Sequence, residues 1–268
     1  MAKVDILLTF WGDVELLKKA VESVIAQTEQ DWHLLVLDDC YPSDELAKYF
    51  ANIKDKRITY YRHKKNIGIT KNFNYAVEHA KAPYCMLLGC DDIMLPNYLE
   101  TALKNIGSAD IYQPSVDVID GDGNVYLPLG DRIKRFLQPK KPGIYQGEKL
   151  AASLCHGNWL YFPSILWKTS TIKKYGFNDK YKIAEDVVLE MDIIKNGGVL
   201  YFDTTTTFNY RRFAKSLSSV EKSKGGVRFS EEDEVYDHFA AEFKKLGWHK
   251  AARAAAWRIT SRLHRVLN

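Results

Sequence analysis

The sequence predicts an α/β protein built on a mostly parallel, doubly wound sheet, and three observations carry that expectation. Short apolar runs rich in β-branched and aromatic residues alternate with helix-period segments through the first hundred residues. A β-α-β-α order of this kind puts helices on both faces of a parallel sheet. Two of the runs end in paired acids, Asp38-Asp39 and Asp91-Asp92, and ligands of such sheets sit beyond the carboxyl ends of the strands.

Taken in order, residues 4–10 form the first strand, and residues 14–26 carry Leu17, Val21, Val24 and Ile25 at helical spacing. Residues 32–37 are a second strand, 42–53 a short helix and 58–61 a third strand. Asn66-Ile67-Gly68 precedes a helix reaching about Ala80, and residues 84–88 are a fourth strand. The second half is less regular. Residues 117–127 read as a hairpin around Asp120-Gly121-Asp122-Gly123-Asn124. Residues 146–156, 169–175 and 186–195 read as helices, the last closed by Gly197-Gly198, and residues 199–203 as a strand. A polar stretch from about 214 to 226, read as mobile, leads to terminal helices over 229–246 and 250–267.

The chain has 268 residues, 46% hydrophobic and 27% charged, a balance that argues against disorder and against a disulfide-stapled miniprotein. No apolar run approaches the roughly 18–20 residues that span a bilayer. Met1-Ala2-Lys3 enters a strand without a signal-peptide layout, the four cysteines form no Cys-x-x-Cys pair, and there is no Asn-x-Ser/Thr sequon. A reducing cytoplasm is the expected setting, with an option of peripheral attachment at the inner face of the membrane. The formal net charge is +4, but residues 243–268 hold seven Lys/Arg and no acid, leaving 31 basic against 34 acidic residues in 1–242. A nucleic-acid binder spreads its positive charge over the domain, so nucleic acid is not an expected partner. On a helical wheel the tail collects Trp248, Ala252, Ala255, Ala256, Ile259, Leu263, Val266 and Leu267 on one face, with Lys250, Arg253, Arg258, Arg262 and Arg265 around the rest. That pattern suits either an anionic membrane surface or packing on protein.

Several short motifs invite chemistry, each beside a plainer reading. Adjacent carboxylates at Asp91-Asp92 cannot both be buried and ionised without a cation, and hard oxygen ligands with little His or Cys nearby suit Mg²⁺ or Mn²⁺. The same pair could be a solvated turn with a helix cap. Asp38-Asp39 could be an Asx turn, and Cys40 breaks the Asp-x-Asp of phosphotransfer hydrolases. Glu185-Asp186 opens a helix, where the dipole alone favours acids. Tyr210-Arg211-Arg212 could clamp a phosphate or be solvated. Asp120-x-Asp122-x-Asn124 starts like a calcium loop but has Val125 and Asp131 where Gly and Glu belong, so a hairpin turn is the better reading. Trp159, Tyr161 and Phe162 could form a sugar-stacking wall or core. Dinucleotide and P-loop glycine motifs are absent.

Taken together, the motifs resemble the inverting family-two glycosyltransferases of the GT-A fold over roughly residues 3–220. The resemblance rests on Val4 to Thr9, Ser23-Val-Ile-Ala-Gln27-Thr28, Asp31-Trp32 and Leu37-Asp38-Asp39. It continues through Asn66-x-Gly68, Asn74-x-Ala76, Ala82-Pro83-Tyr84 and Leu88-Gly-Cys-Asp91-Asp92, then Gly157-Asn158, Tyr175-Gly176-Phe177, Glu185-Asp186 and Tyr210-Arg211-Arg212. It implies that Thr9 and Trp11 lie against a nucleobase whose N–H Asp39 accepts. It further implies that Asp91 touches ribose or metal, that Asp92 ligates a Mg²⁺ or Mn²⁺ ion at the donor diphosphate, and that Arg211 or Arg212 steadies that diphosphate. Asp186 would be the catalytic base, with Glu185 beside it. Four departures stand out: Leu8 replaces the habitual Pro, Gly12 the habitual Asn, Gly89 the first Asp of Asp-x-Asp, and Phe213 a His. The metal would then be held by fewer protein carboxylates.

The expected division is a GT-A domain over 1–228, with a nucleotide-sugar half to about 115 and an acceptor half over 116–228, and a basic helical extension over 229–268. The expected activity is metal-dependent, inverting hexosyl transfer from a nucleotide-diphosphate sugar, UDP first, to a cell-surface glycan or lipid-linked oligosaccharide. Two rivals are a catalytically silent glycosyltransferase-like binding protein and a nucleotidyltransferase. The second lacks its usual glycine-rich basic loop, because Thr9-Phe-Trp-Gly-Asp13 follows the first strand.

Overall fold

A computed structural model describes residues 2–212 and 227–257. Its first half runs β1 (Val4–Phe10), α1 (Val14–Ile25), β2 (Trp32–Asp38), α2 (Glu45–Asn52), β3 (Ile58–Arg62), α3 (Ile69–His79) and β4 (Tyr84–Leu88). There follow β5 (Ile93–Met94), α4 (Tyr98–Asn105), β6 (Ile111–Ile119), α5 (Leu129–Leu137), β7 (Gly143–Gln146), α6 (Gly147–His156) and β8 (Leu166–Lys168). The chain then forms α7 (Thr169–Tyr175), α8 (Glu185–Lys195), β9 (Val199–Arg211), α9 (Val227–Lys245) and α10 (His249–Trp257).

Among the described residues nine strands make one sheet, ordered β3-β2-β1-β4-β8-β6-β9-β5 with β7 on β9. β1 is parallel to β2 and β4, and β2 to β3. β8 lies antiparallel between β4 and β6, which restores the common direction in β6 and in its parallel neighbour β9. Six strands therefore end at one edge, at Phe10, Asp38, Arg62, Leu88, Ile119 and Arg211. The side-chain period of two divides β1 between two helical layers. Val4, Ile6 and Leu8 pack with Leu17, Val21 and Val24 of α1 and Leu99 and Ala102 of α4. Leu7 faces α3, α6 and α8 through Ala76, Leu154 and Leu189.

The first four strands and the three helices between them match the expectation. α1 is capped by Asp13, whose Oδ1 accepts Glu15 N–H and Leu16 N–H at 2.8 and 3.2 Å. The second half holds more order than its periodicity signals. β6 contains Pro114, and its register on β9 slips between Gln113 and Val116, so it has no clean alternation. The expected strand over 199–203 continues to Arg211. Asp203 there looks like a stop, but its Oδ1 accepts Thr205 N–H (2.8 Å) and its Oδ2 accepts from Asn105 and the Tyr112 hydroxyl (2.7 and 3.1 Å). The hairpin over 117–127 reduces to one Ile119–Val125 bridge around an Asp120 turn, with Asp120 Oδ1 taking Asp122 N–H and Asn124 N–H.

α9 and α10 pack into the same core. Val235, Tyr236, Phe239 and Phe243, with Ala251, Ala254 and Ala255, join Leu150, Ala151 and Leu154 of α6. The buried stripe of α10 is centred on Ala251, Ala254 and Ala255 rather than on Ala252 and Ala256, and Ala256 is exposed. The remainder of the basic tail helix (Arg258, Ile259, Arg262, Leu263, Arg265, Val266, Leu267), the polar stretch 214–226 and Phe213 lie outside the described residues. Trp159 is fully buried, edge-on to Phe202, and so belongs to the core. Among the described residues no helix is long and apolar enough to cross a membrane.

Candidate active site

The sheet edge collects most of the residues singled out in the sequence. Thr9 is the penultimate residue of β1, and Trp11, just beyond it, is 46% exposed and stands edge-on to Tyr41 at 5.6 Å. Asp38 and Asp39 divide their roles. The Asp38 carboxylate is buried under structural bonds from Tyr41 N–H (2.7 Å) and the Tyr60 hydroxyl (2.6 Å). Asp39 turns to the edge, where Oδ1 accepts Ile67 N–H (2.7 Å) and Oδ2 accepts Gly68 N–H (2.9 Å). Each of these oxygens keeps a second lone pair. The turn between Asp39 and Tyr41 is made by Cys40 in the left-handed region, φ 62°. Gly12 approaches Cys90, so the loop after β1 touches the turn after β4.

Asp91 and Asp92 are held by motif residues whose purpose is structural. Ser23 Oγ accepts Met94 N–H (3.2 Å), while Gln27 donates to Leu95 C=O (2.8 Å) and accepts Leu99 N–H (3.0 Å). Ser23 of α1 and Gln27 just past its end thus bracket the strand leaving Asp92. Asp92 is buried; its Oδ1 accepts Arg211 N–H at 2.7 Å and its Oδ2 has no hydrogen-bond partner. Burial, and then the Asp91 charge, push the Asp92 carboxyl well above the usual carboxylate range. Burial also raises Asp91. Gly89 is a steric requirement of this arrangement: a Cβ there would collide with Asp92 Oδ2 and lie 3.1 Å from its Cγ. The Asp92 carboxylate occupies the space that a side chain at 89 would need. Among the described residues no group of three or more His, Cys, Asp or Glu is placed to hold a metal ion. The Asp91-Asp92 pair, with one buried oxygen unpartnered, is the donor set that fits a hard divalent cation.

The two arginines separate. Arg211 is buried, with its Nε on Asp91 C=O (2.7 Å) and its Nη1 on the carbonyls of Asp120 and Gly121 (2.7 and 3.0 Å). It clasps the turn that carries Asp91. Arg212 pairs with the buried Asp131, Nη2 to Oδ1 at 3.1 Å, and keeps 23% of its side chain exposed. Of the two, Arg212 is the one with surface left for an anion.

Glu185 and Asp186 begin α8. The loop entering them is fixed from α9: Glu231 Oε2 accepts Lys182 N–H and Ile183 N–H at 3.0 and 2.9 Å. Asp186 Oδ1 accepts Val187 N–H at 2.7 Å. Glu185 is buried, with Oε2 unpartnered, and burial followed by the Asp186 charge pushes its carboxyl up to about 8. One turn on, Glu190 is fully buried, Asn158 donates to its Oε2 (2.8 Å), and burial again raises its carboxyl. A carboxyl raised by folding holds a proton that the unfolded chain releases. Glu185 therefore erodes stability as pH rises from about 4.5 to about 8, and the penalty is complete above that. Glu185→Gln is expected to raise Tm by roughly 2–4 °C at the alkaline end and to change it little at the acid end. A wild-type-minus-variant difference that stays constant across this window, followed by calorimetry, would refute the buried neutral carboxyl.

Motif reading missed the residues that join these clusters. Asp131 and Lys134 come from α5, and the Tyr161 hydroxyl donates to Asp131 Oδ1 at 2.9 Å. Lys134 donates to Leu160 C=O (2.8 Å) and lies 4.4 Å from the Tyr161 ring centroid. Burial, and then the Arg212 charge, push its ammonium down to about 8, opposed by Asp131, Asp186 and Glu190. Arg212 also acts on Asp92, so one run of charges links the Asp91-Asp92 turn to the start of α8. Tyr41, Glu231, Asn158 and Glu190 were likewise unassigned. The only local signal was an Asn following Gly157; the rest come from distant segments.

The family model described as glycosyl transferase family 2 matches residues 5–170. An uncharacterized glycosyltransferase of Methanocaldococcus jannaschii is 28% identical over 187 residues, covering 68% of this chain and 60% of that protein. A putative colanic acid biosynthesis glycosyl transferase of Escherichia coli is 31% identical over 103 residues, 38% of this chain and 37% of that protein. The chain therefore spans less than two thirds of the length of either curated relative. Among solved structures, S. aureus TarS 1–349 in complex with UDP-GlcNAc superposes with a TM-score of 0.70 at 16% identity, covering 90% of this chain and 66% of that one. That likeness is one of fold, and the fold is GT-A.

Proposed function

Because the chain belongs to glycosyl transferase family 2, we propose that it moves a sugar from a UDP-linked donor onto a glycan or lipid-linked oligosaccharide, with inversion at the anomeric carbon. The observation that carries this reading is the convergence of Trp11, Asp39, Asp91, Asp92 and Arg212 at one strand edge, joined through Lys134 to Asp186. The UDP-GlcNAc complex of TarS, a protein of the same fold, supports a uridine nucleotide as the first donor to test.

In this reading Trp11 and Tyr41 offer an aromatic corner to the base, and Asp39 uses its remaining lone pairs toward the base N–H. Asp91 and Asp92 would hold Mg²⁺ or Mn²⁺. Such an ion neutralises charge on the departing diphosphate. Arg212 adds a fixed positive charge on the same side, and Arg211 keeps the Asp91 turn in place. Asp186 takes the proton of the acceptor hydroxyl as that oxygen attacks the anomeric carbon from the face opposite the diphosphate. Glu185, protonated at neutral pH, adds no second negative charge beside it. No covalent enzyme intermediate is required.

The test is thermal unfolding with UDP, GDP or TDP, each with Mn²⁺. UDP at about 100 times its Kd should add roughly 2.7 kcal/mol and raise Tm by several degrees, with GDP and TDP doing less. No shift with any of the three would sink the donor assignment.

A further inference from the structure

α5 is amphipathic with its polar side inward. At 100° per residue Asp131, Lys134 and Gln138 share one side of this stretch, and that side is committed to the interior. Asp131 is bonded by Tyr161 and Arg212, Lys134 by Leu160 C=O, and Gln138 donates to Trp159 C=O at 3.3 Å. The helix cannot rotate without breaking these bonds. Its other side, Leu129, Arg132 and Phe136, faces solvent, with Leu129 61% and Phe136 78% exposed. Val125, just upstream, is 64% exposed. Large apolar side chains grouped on a surface mark a contact site, where single ones do not.

The charge around this face says what covers it. Between residues 127 and 142 Arg132, Arg135, Lys140 and Lys141 are exposed, and the one acid, Asp131, is buried. The Lys140 ammonium lies 5.9 Å from the Phe136 ring centroid. Alongside is a cavity of about 320 Å³ whose walls include Ser115, Arg135, Lys140, Thr204 and Thr206, with Arg135 paired to Asp117 at 3.0 Å. An apolar centre rimmed by long cations matches a plane that is hydrocarbon below and anionic at its surface. In the tail the alanine stripe of α10 is already covered by α6 and α9, and its exposed large apolar side chains, Leu246 and Trp257, stand eleven residues apart at opposite ends of that segment.

We infer that the outward face of α5, Leu129 and Phe136 with Arg132 and Lys140 around them, docks this protein on an anionic bilayer surface. The inward face of the same helix carries Asp131 and Lys134 into the candidate active site. A bilayer resting on α5 therefore lies one helix diameter from the chemistry, where a lipid-linked acceptor would present its sugar. A helix of nine residues anchors weakly, so the binding is reversible and salt-sensitive.

The test is co-sedimentation of the full chain with vesicles of phosphatidylcholine alone or mixed with phosphatidylglycerol, at low and high salt. The protein should pellet with anionic vesicles at low salt and stay in solution with neutral ones. Leu129→Ser/Phe136→Ser and, separately, Arg132→Glu/Lys140→Glu should lower the bound fraction roughly tenfold, with Tm unchanged as the folding control. Arg262→Glu/Arg265→Glu in the tail should leave it unaltered. Failure of the wild-type chain to pellet, equal pelleting of the α5 variants, or loss only in the tail variant would overturn the inference. So would a wild-type dimer in sedimentation velocity that Leu129→Ser/Phe136→Ser dissolves, since a second copy would then own the face. No sugar donor is present, so failure here leaves the transferase reading standing.

Discussion

Asp186→Asn is expected to lower sugar transfer by roughly 10²–10⁴-fold while UDP binding persists. The substitution keeps the shape of the side chain and its place at the start of α8 but removes the ability to accept a proton. Asp186 is suited to the role by its neighbours. Glu185 and Glu190 flank it in sequence and along the helix, both buried and both raised by that burial, which makes each a poorer anionic base than an ordinary carboxylate. The Lys134 ammonium interacts with both Asp186 and Glu190. The loop before it is pinned by Glu231 from α9, which limits drift of the carboxylate from the acceptor. The measurement is initial rate with the identified donor, alongside nucleotide-induced thermal shift. Near-normal turnover in Asp186→Asn would return the residue to the plainer role of an acid that complements the helix dipole.

Asp92→Ala is expected to abolish the metal-dependent part of UDP stabilisation, leaving the shift seen with excess chelator. Asp92 Oδ2 is buried and without a partner, and an unmet carboxylate oxygen beside a second carboxylate is costly unless protonated or bound to a cation. Removing the carboxylate also leaves Arg211 N–H without its acceptor. The fold should nevertheless survive, because burial of the carboxylate is itself unfavourable and that cost disappears with it. The comparison is Tm in Mn²⁺ plus UDP, in chelator plus UDP, and without ligand, for both proteins. UDP stabilisation of the wild type that is the same in Mn²⁺ and in chelator, or that Asp92→Ala keeps in full in Mn²⁺, would remove the metal from Asp91 and Asp92.

The motifs that could be read in the chain divide into two kinds once placed. Some are candidates for the chemistry by their place: Asp39, Asp91, Asp92 and Asp186 stand at the strand edge or at the helix that joins it. Others are brackets. Ser23 and Gln27 fasten the strand after Asp92, Asn74 fastens Phe177 by both its N–H and its carbonyl, and Arg211 fastens the Asp91 turn. A motif shows that residues are needed and is silent on which need they meet. Arg211 and Arg212 illustrate the point, being adjacent and chemically identical yet committed to different partners.

The sequence by itself determined the alternating first half, because each strand there is a short run dominated by apolar and aromatic residues and each helix has its apolar face at helical spacing. It also determined that acids end two of those strands, since the end of an apolar run is visible locally. Only the tertiary structure decided that β6 and β9 join the same edge, because Pro114 and the Asp203 irregularity interrupt their patterns while pairing sixty or more residues away supplies the missing hydrogen bonds. Only the tertiary structure brought Asp131, Lys134, Arg212 and Glu190 together. Their interaction depends on burial, which lowers the dielectric around them and makes charges from separate elements act on one another strongly. α5 shows the limit most plainly: the sequence reading assigns no helix over 129–137, and the apolar side of α5 points outward because the bonds that orient it belong to residues elsewhere in the chain.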